Sequence, residues 1–129
     1  MPNHIQIVHS DDAPAAIGPY SQAMIAGGFV FCSGQIALDA PTKQIVGETA
    51  AEQAFKVMSN LLSVLQAAGC GFDDVVKTTI YLKNINAFAA VNEAYATALG
   101  SHRPARATIE AARLPRDVLV EIDCIAKLP

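Results

Sequence analysis

Cysteine is scarce in this chain: Cys32, Cys70 and Cys124 are the only three among 129 residues. An odd number with no C-x-x-C spacing excludes a disulfide framework and a zinc knuckle, and leaves structural thiols as the expected role. Histidine is equally sparse, with His4, His9 and His102 scattered and no carboxylate at ligand spacing beside any pair, so no metal site is supported. Charged residues make up only 16%, 9 basic against 12 acidic, for a net charge of -3. That is the wrong sign for a protein held to nucleic acid mainly by phosphate contacts. No apolar run approaches the roughly 20 residues that span a bilayer, which argues against a membrane partner. The opening residues, MPNHIQIVHSDDAPAA, show neither a basic region leading into an apolar stretch nor an Arg-rich amphipathic helix, so a cytoplasmic location is the default expectation.

What the chain does have is apolar residues, at 52%, and a mean hydropathy of +0.31. The length suits one domain spanning residues 1–129, large enough to bury a core without disulfide staples. The apolar surplus is expected to be buried between subunits. In PYSQAMIAGGFVFCSGQI, the pair Gly27-Gly28 sits between two apolar stretches and can supply the positive φ angles of a two-residue hairpin turn. Thr49 followed three residues later by Glu52 makes a capping box, and the apolar spacing of Ala51, Ala54, Phe55, Met58, Leu61, Leu62, Leu65 and Ala68 predicts a helix over about 50–68, stopped by Gly69. VVKTTIYLK alternates as a strand, with Val76, Thr78, Ile80 and Leu82 on one side. Asn84 or Asn86 can cap a second helix, AFAAVNEAYATAL, which Gly100 ends.

The last third reads as a second hairpin, with one strand around 105–111, a loop ARLPRD and a strand VLVEIDCIA. The order is then ββαβαββ, an α+β arrangement in which two helices cover one face of a sheet. By parity, Ala107, Ile109 and Ala111 would join Val118, Val120, Ile122 and Cys124 beneath the helices. Arg106, Thr108 and Glu110 would then share the opposite face with Leu119, Glu121, Asp123 and Ile125. That mixture is too apolar for a free surface and too charged for a dry core, and it suits an oligomer interface with a polar pocket. On this reading Arg106, Thr108 and Glu121 are neighbours across the hairpin.

An arginine at position 106 among Ala105, Ala107 and Ile109 needs solvent or an anion. It can serve as a structural ion-pair partner of Glu121 or Asp123 inside an oligomer, or as a fork for a ligand carboxylate, with Glu121 orienting a water or moving a proton. Ser33-Gly34 can be a turn or a site where a ligand approaches the backbone, Tyr20 a packing aromatic, and Asn92 a solvated polar position. No Ser/His/Asp or Cys/His pairing and no Gly-rich phosphate loop is legible.

The segments IGPYSQA, SGQI, VVKTTIYLKNINAFAAVNEAY, RPARATIEAARLP and VEIDCIA, in this order and spacing, together resemble the RidA/YjgF family of enamine/imine deaminases. The resemblance implies a chorismate-mutase-like fold with a mixed sheet, a homotrimer around a central barrel, and active sites in the clefts between subunits. It implies a hydrolase without cofactor that converts reactive 2-enamine and 2-imino acids, such as 2-aminoacrylate, to 2-oxo acids and ammonia. Carried over by position, Arg106 is the carboxylate-binding arginine, Glu121 the acid that positions water, and Tyr20, Ser33, Gly34 and Asn92 line the site. Thr108 departs from the family, in which many members have cysteine there; backbone contacts at this position are expected to preserve activity. Some relatives are described as endoribonucleases or translation inhibitors acting on RNA, and a basic strip of Arg103, Arg106, Arg113 and Arg116 would be the basis for that alternative. A non-catalytic 2-oxo acid sensor or chaperone would use the same carboxylate clamp.

Overall fold

The computed structural model describes residues 4–129. Its elements are β1 (Gln6–Val8), β2 (Ala23–Ala26), β3 (Phe29–Gln35), α1 (Ala50–Ala67), β4 (Val75–Leu82), α2 (Phe88–Leu99), β5 (Ala105–Glu110) and β6 (Val120–Lys127). They form one mixed six-stranded sheet in the order β1-β2-β3-β6-β4-β5. Both helices pack on one face of it. Most of the predicted local signals act as read, but neither Asn84 nor Asn86 caps α2: its N-cap is Ala87, with no side-chain bond, and the Asn84 side chain instead accepts from the Asn86 amide at 2.9 Å to open the short turn Ile85–Ala87 before the helix. Gly27 and Gly28 have φ of 59° and 83° and close the β2–β3 hairpin. The Thr49 hydroxyl accepts from the Glu52 amide while the Glu52 carboxylate accepts from the Thr49 amide, at 3.2 and 3.1 Å. Gly69, at φ 84°, ends α1, and the Cys70 amide turns back to the Leu65 carbonyl at 2.8 Å.

The predicted C-terminal hairpin does not form, and β4 lies between its two strands. β5 pairs only with β4, in parallel, with Thr78 opposite Arg106, Ile80 opposite Thr108 and Leu82 opposite Glu110. β6 pairs with β4 on its other side and with β3. After β5 the chain crosses the end of β4, where the Ala111 amide donates to the Leu82 carbonyl and the Lys83 amide to the Leu119 carbonyl. The turn residues around Pro115 therefore serve a crossing loop. A parallel pair such as β4–β5 requires a crossover, and α2 supplies it.

This pairing reverses the expected parity of β5. Thr78, Ile80 and Leu82 lie buried beneath the helices, so their partners Arg106, Thr108 and Glu110 share the helix side. Ala107 and Ile109 turn to the open side, where Ile109 is 47% exposed. For β6 the reading holds: Val120, Ile122 and Cys124 are buried, and Glu121, Asp123 and Ile125 face the open side. Other differences are local. A register shift between Val75 and Lys77 turns Val76 outward. Phe55 is half-exposed on α1, and the polar Gln53 and Asn60 are buried in the stripe instead. The short strand β1, absent from the expected order, pairs with β2.

The core comprises the helix-side residues of β3, β4 and β6 together with Val57, Met58, Leu61, Val64 and Leu65 of α1. All three cysteines are free and buried, and Cys32 and Cys124 are register partners. The Cys32 contact and burial push the Cys124 thiol up, which keeps it protonated and inert. The open face, with Phe31 at 46% and Ile109 at 47% exposure, carries no helix.

Three buried amides tie the loops to this frame. Asn60 donates to the Ile36 and Leu38 carbonyls at 3.0 and 2.9 Å. Gln53 donates to the Gly47 carbonyl and accepts from the Leu119 amide, and Gln22 accepts from the Ser10 amide and donates to the Pro14 carbonyl. Replacing Asn60 with alanine strands two carbonyls, so Asn60→Ala is expected to lower stability by about 2–3 kcal/mol. Chemical denaturation measures this, and an unchanged midpoint would mean that the segment after β3 holds itself.

Candidate active site

On the helix side, β5 lays the Arg106 guanidinium against α2. Its Nη1 donates to Asn92 Oδ1 at 2.6 Å, and its Cζ lies 5.4 Å from the Phe88 ring centroid and 5.3 Å from that of Tyr95. Phe88, Asn92 and Tyr95 are spaced four and three residues apart, so α2 presents them on one face. The Tyr95 hydroxyl is fixed in turn by Thr78 Oγ1 at 2.7 Å, a buried contact that sets the ring's position. No carboxylate among the described residues lies within ion-pair distance of Arg106; the ion pairs are His9–Asp11, Lys56–Asp39 and Arg113–Asp117. The guanidinium is thus oriented by a neutral amide and two aromatic faces, which leaves its charge uncompensated. Arg103, Pro104 and Ala96 complete a cleft of about 460 Å³ around it. Thr108 lies two residues along on the same face, and its hydroxyl is buried without a hydrogen-bond partner among the described residues.

On the open side, β6 presents Glu121 over Gly34. β3 bulges here: Cys32 is opposite Cys124 but Gln35 is opposite Ile122, so β3 has one residue more than β6 in this interval. A side chain at 34 would collide with the Glu121 carboxylate, since a Cβ there would be 2.9 Å from its Cδ. Glycine leaves the acid where it lies, and any larger residue would have to displace the carboxylate. The Ser33 hydroxyl donates to the Ser21 carbonyl at 2.6 Å, which ties β3 to the segment carrying Tyr20 and leaves the oxygen free only to accept. Ile17, Tyr20, Ser33, Gly34, Ile36 and Pro115 surround Glu121 in a cavity of about 490 Å³.

Burial first, and the Asp123 carboxylate second, raise the Glu121 carboxyl above its ordinary value. Asp123 is itself held by the Tyr81 hydroxyl, which donates to Oδ2 at 2.9 Å. That hydrogen bond, followed by burial, raises the Tyr81 phenol.

One chain therefore carries two clusters of candidate residues. Arg106, Asn92 and Thr108 form the first, and Tyr20, Ser33, Gly34 and Glu121 the second, on opposite faces of the sheet. The expected adjacency of Arg106 and Glu121 across a hairpin is not found, because β4 separates their strands. Phe88, Tyr95 and Thr78 were not anticipated, although the spacing of Phe88, Asn92 and Tyr95 on one helix face was legible. Of the four arginines of the alternative reading, Arg103 and Arg106 line the same cleft, Arg113 pairs with Asp117 at 3.0 Å, Arg116 donates to the Lys43 carbonyl, and Arg103 donates to the Gly100 and His102 carbonyls at the end of α2. Among the described residues no group of three His, Cys, Asp or Glu side chains is arranged to hold a metal ion, and no helix is long and apolar enough to cross a membrane.

The family model described as Endoribonuclease L-PSP matches residues 10–128. A RutC family protein of Synechocystis is 54% identical over 127 residues, covering 97% of this chain and 98% of the relative. The 2-iminobutanoate/2-iminopropanoate deaminase of Mus musculus is 45% identical over 121 residues, covering 94% and 90%. Among solved structures, RidA from an Antarctic Psychrobacter superposes with a TM-score of 0.91 at 38% identity, covering 95% of this chain and 99% of that one. With matches that run across nearly its whole length in sequence and in fold, the chain belongs to the RidA/YjgF family.

Proposed function

We propose that the protein hydrolyses 2-enamine and 2-imino acids to 2-oxo acids and ammonia, at sites completed between subunits of a homotrimer. The observation that carries this reading is Arg106, an oriented guanidinium with no carboxylate of its own chain to neutralise it. A planar two-pronged cation of this kind matches the carboxylate common to all 2-imino acids. Relatives named as deaminases of such compounds, at 42–45% identity, support the same chemistry.

The steps need only a positioned acid-base group and water. With the substrate carboxylate on Arg106 and the Thr108 backbone, the iminium carbon is held still beside Glu121. The Glu121 carboxylate takes a proton from the attacking water as the C–O bond forms. It returns that proton to the nitrogen of the resulting carbinolamine. The C–N bond then breaks, with its electron pair leaving on ammonia, and loss of the hydroxyl proton gives the 2-oxo acid. An iminium carbon is already a strong electrophile, so positioning and proton transfer account for the rate.

The two clusters, each taken as half of a shared site, motivate the trimer. A head-to-tail contact that sets the Glu121 face of one copy against the Arg106 edge of the next would complete a site at each junction, and such contacts close into a ring when the rotation between copies closes. It would also cover the exposed Phe31 and Ile109. Light scattering is expected to give three chains per particle, and a stable monomer at micromolar concentration would remove the shared site.

Lysine tests the fork, because it keeps the charge but loses the planar pair of donors. Arg106→Lys is expected to remain folded and oligomeric while kcat/KM for imine hydrolysis falls by roughly tenfold to a few hundredfold, the equivalent of about 1.5–3 kcal/mol. Full activity in this variant would sink the clamp.

The raised Glu121 carboxyl sets the pH dependence. The base form is lost as pH falls through the raised value, so the acid limb of kcat/KM is expected above the ordinary range of a glutamate. Asp123→Asn removes the neighbouring charge and should move that limb down, and an unmoved limb would separate Asp123 from the mechanism. For stability the sign is opposite to that of an ion-paired acid. The folded chain holds this proton more tightly than the unfolded chain, so the contribution is present below the unfolded value and declines as pH rises to the folded one.

A further inference from the structure

Two guanidiniums, Arg103 and Arg106, line the cleft of about 460 Å³ beside α2. Both are oriented by neutral acceptors, and in the same way. Among the described residues the hydrogen bonds of each run through Nη1 alone, from Arg103 to the Gly100 and His102 carbonyls at 2.6 and 2.8 Å and from Arg106 to Asn92 Oδ1 at 2.6 Å. Nε and Nη2 of both side chains are left with protons to donate. For Arg103, the bonds to the chain after α2 occupy one nitrogen and hold the fork in place, which lowers the ordering cost of meeting a ligand.

No acid answers either charge. The three ion pairs of the described residues involve neither arginine, and the rest of the cleft lining, Asn92, Tyr95, Ala96 and Pro104, is uncharged. Two like charges in one cleft repel, and an anion that reaches both relieves the repulsion. In a chain of net charge -3 that carries 12 acidic residues, a pair of cations left without a carboxylate is a local exception.

We infer that Arg103 is a second anion-binding residue of this cleft, and that its preferred ligands are short 2-oxo and 2-imino dicarboxylic acids, with one carboxylate on Arg106 and the other on Arg103. This rests on the Arg106 clamp of the hydrolase reading and adds the charge of the substrate side chain to it. Each fork can give two parallel hydrogen bonds to a carboxylate. The wall of Tyr95, Ala96 and Pro104 suits the methylene stem that joins two such groups. The imino acid derived from glutamate has this form. The one derived from 2-aminobutanoate has the same reacting end without the second charge, and a site built to bond a polar group rejects an analogue that lacks it.

Calorimetry on the intact protein compares 2-oxoglutarate with 2-oxobutanoate, and hydrolysis of the corresponding imino acids, generated by amino-acid oxidases, is followed in parallel. 2-Oxoglutarate is expected to bind roughly tenfold or more tighter at low salt, and the ratio should shrink as salt screens the second contact. Arg103→Gln should bring the two affinities within about twofold of each other, while Arg103→Lys, which keeps the charge and loses the fork, should retain part of the preference. Equal loss in both variants would assign the preference to the shape of the α2 end and overturn the role of Arg103. Equal affinity for the two acids in the unaltered protein would overturn it as well, and turnover of the 2-aminobutanoate-derived imine would then leave the hydrolase reading intact. Inorganic phosphate displacing 2-oxoglutarate at equal concentration would overturn the dicarboxylate assignment, because the cleft would then read charge alone. Preference for 2-oxoglutarate without turnover of either imino acid would keep the two-arginine cleft and discard the hydrolase. Neither binding nor turnover would discard both.

Discussion

The insertion of β6 between β3 and β4 is the constraint on which the rest of the molecule depends. Its even-numbered residues Val120, Ile122, Cys124 and Ala126 sit in the core beneath the helices, and hydrogen-bonded ladders on both sides leave it no freedom of register. Because side chains alternate strictly along a strand, that burial forces Glu121 and Asp123 together onto the open face. The same insertion displaces β5 to the far side of β4, where it becomes an edge and brings Arg106 under α2. Both halves of the candidate site follow from one strand's position.

The electrostatic result is that the sheet itself separates a cation from an acid. Were Arg106 and Glu121 adjacent, as a β5–β6 hairpin would make them, they would form an ion pair that lowered the acid's proton affinity and occupied the guanidinium. Instead the guanidinium is held by Asn92 and two rings, and the carboxyl is raised by burial and by Asp123. Each keeps the property that imine hydrolysis would draw upon, a free anion-binding fork in one case and a proton carrier in the other.

The supporting layer is made largely of neutral amides. Gln22, Gln53 and Asn60 are all buried, and each bonds backbone groups of a loop that borders the Glu121 side. Amides suit this task because they donate and accept without a charge that would disturb the acid nearby.

Much of the fold was legible because its signals are short-range. The Thr49–Glu52 box, the Gly27-Gly28 turn, the stops at Gly69 and Gly100 and the apolar period of β6 each depend on a few neighbouring residues, and tertiary contacts left them unchanged, whereas on α1 they turned the buried stripe toward Gln53, Val57, Asn60 and Val64 and left Phe55 half-exposed. The candidate site residues were read through the family pattern, and an arginine among small apolar residues was conspicuous without it. What tertiary structure alone decided is which strands pair. A loop with turn residues can close a hairpin or cross the end of another strand, and local sequence is the same in both cases. The choice is made by α2, whose crossover lays β5 parallel to β4, and by the burial of Thr78, Ile80 and Leu82, which fixes the face that Arg106, Thr108 and Glu110 share. Parity within a strand can be read from the chain, but the face to which that parity is assigned is set by partners distant in sequence.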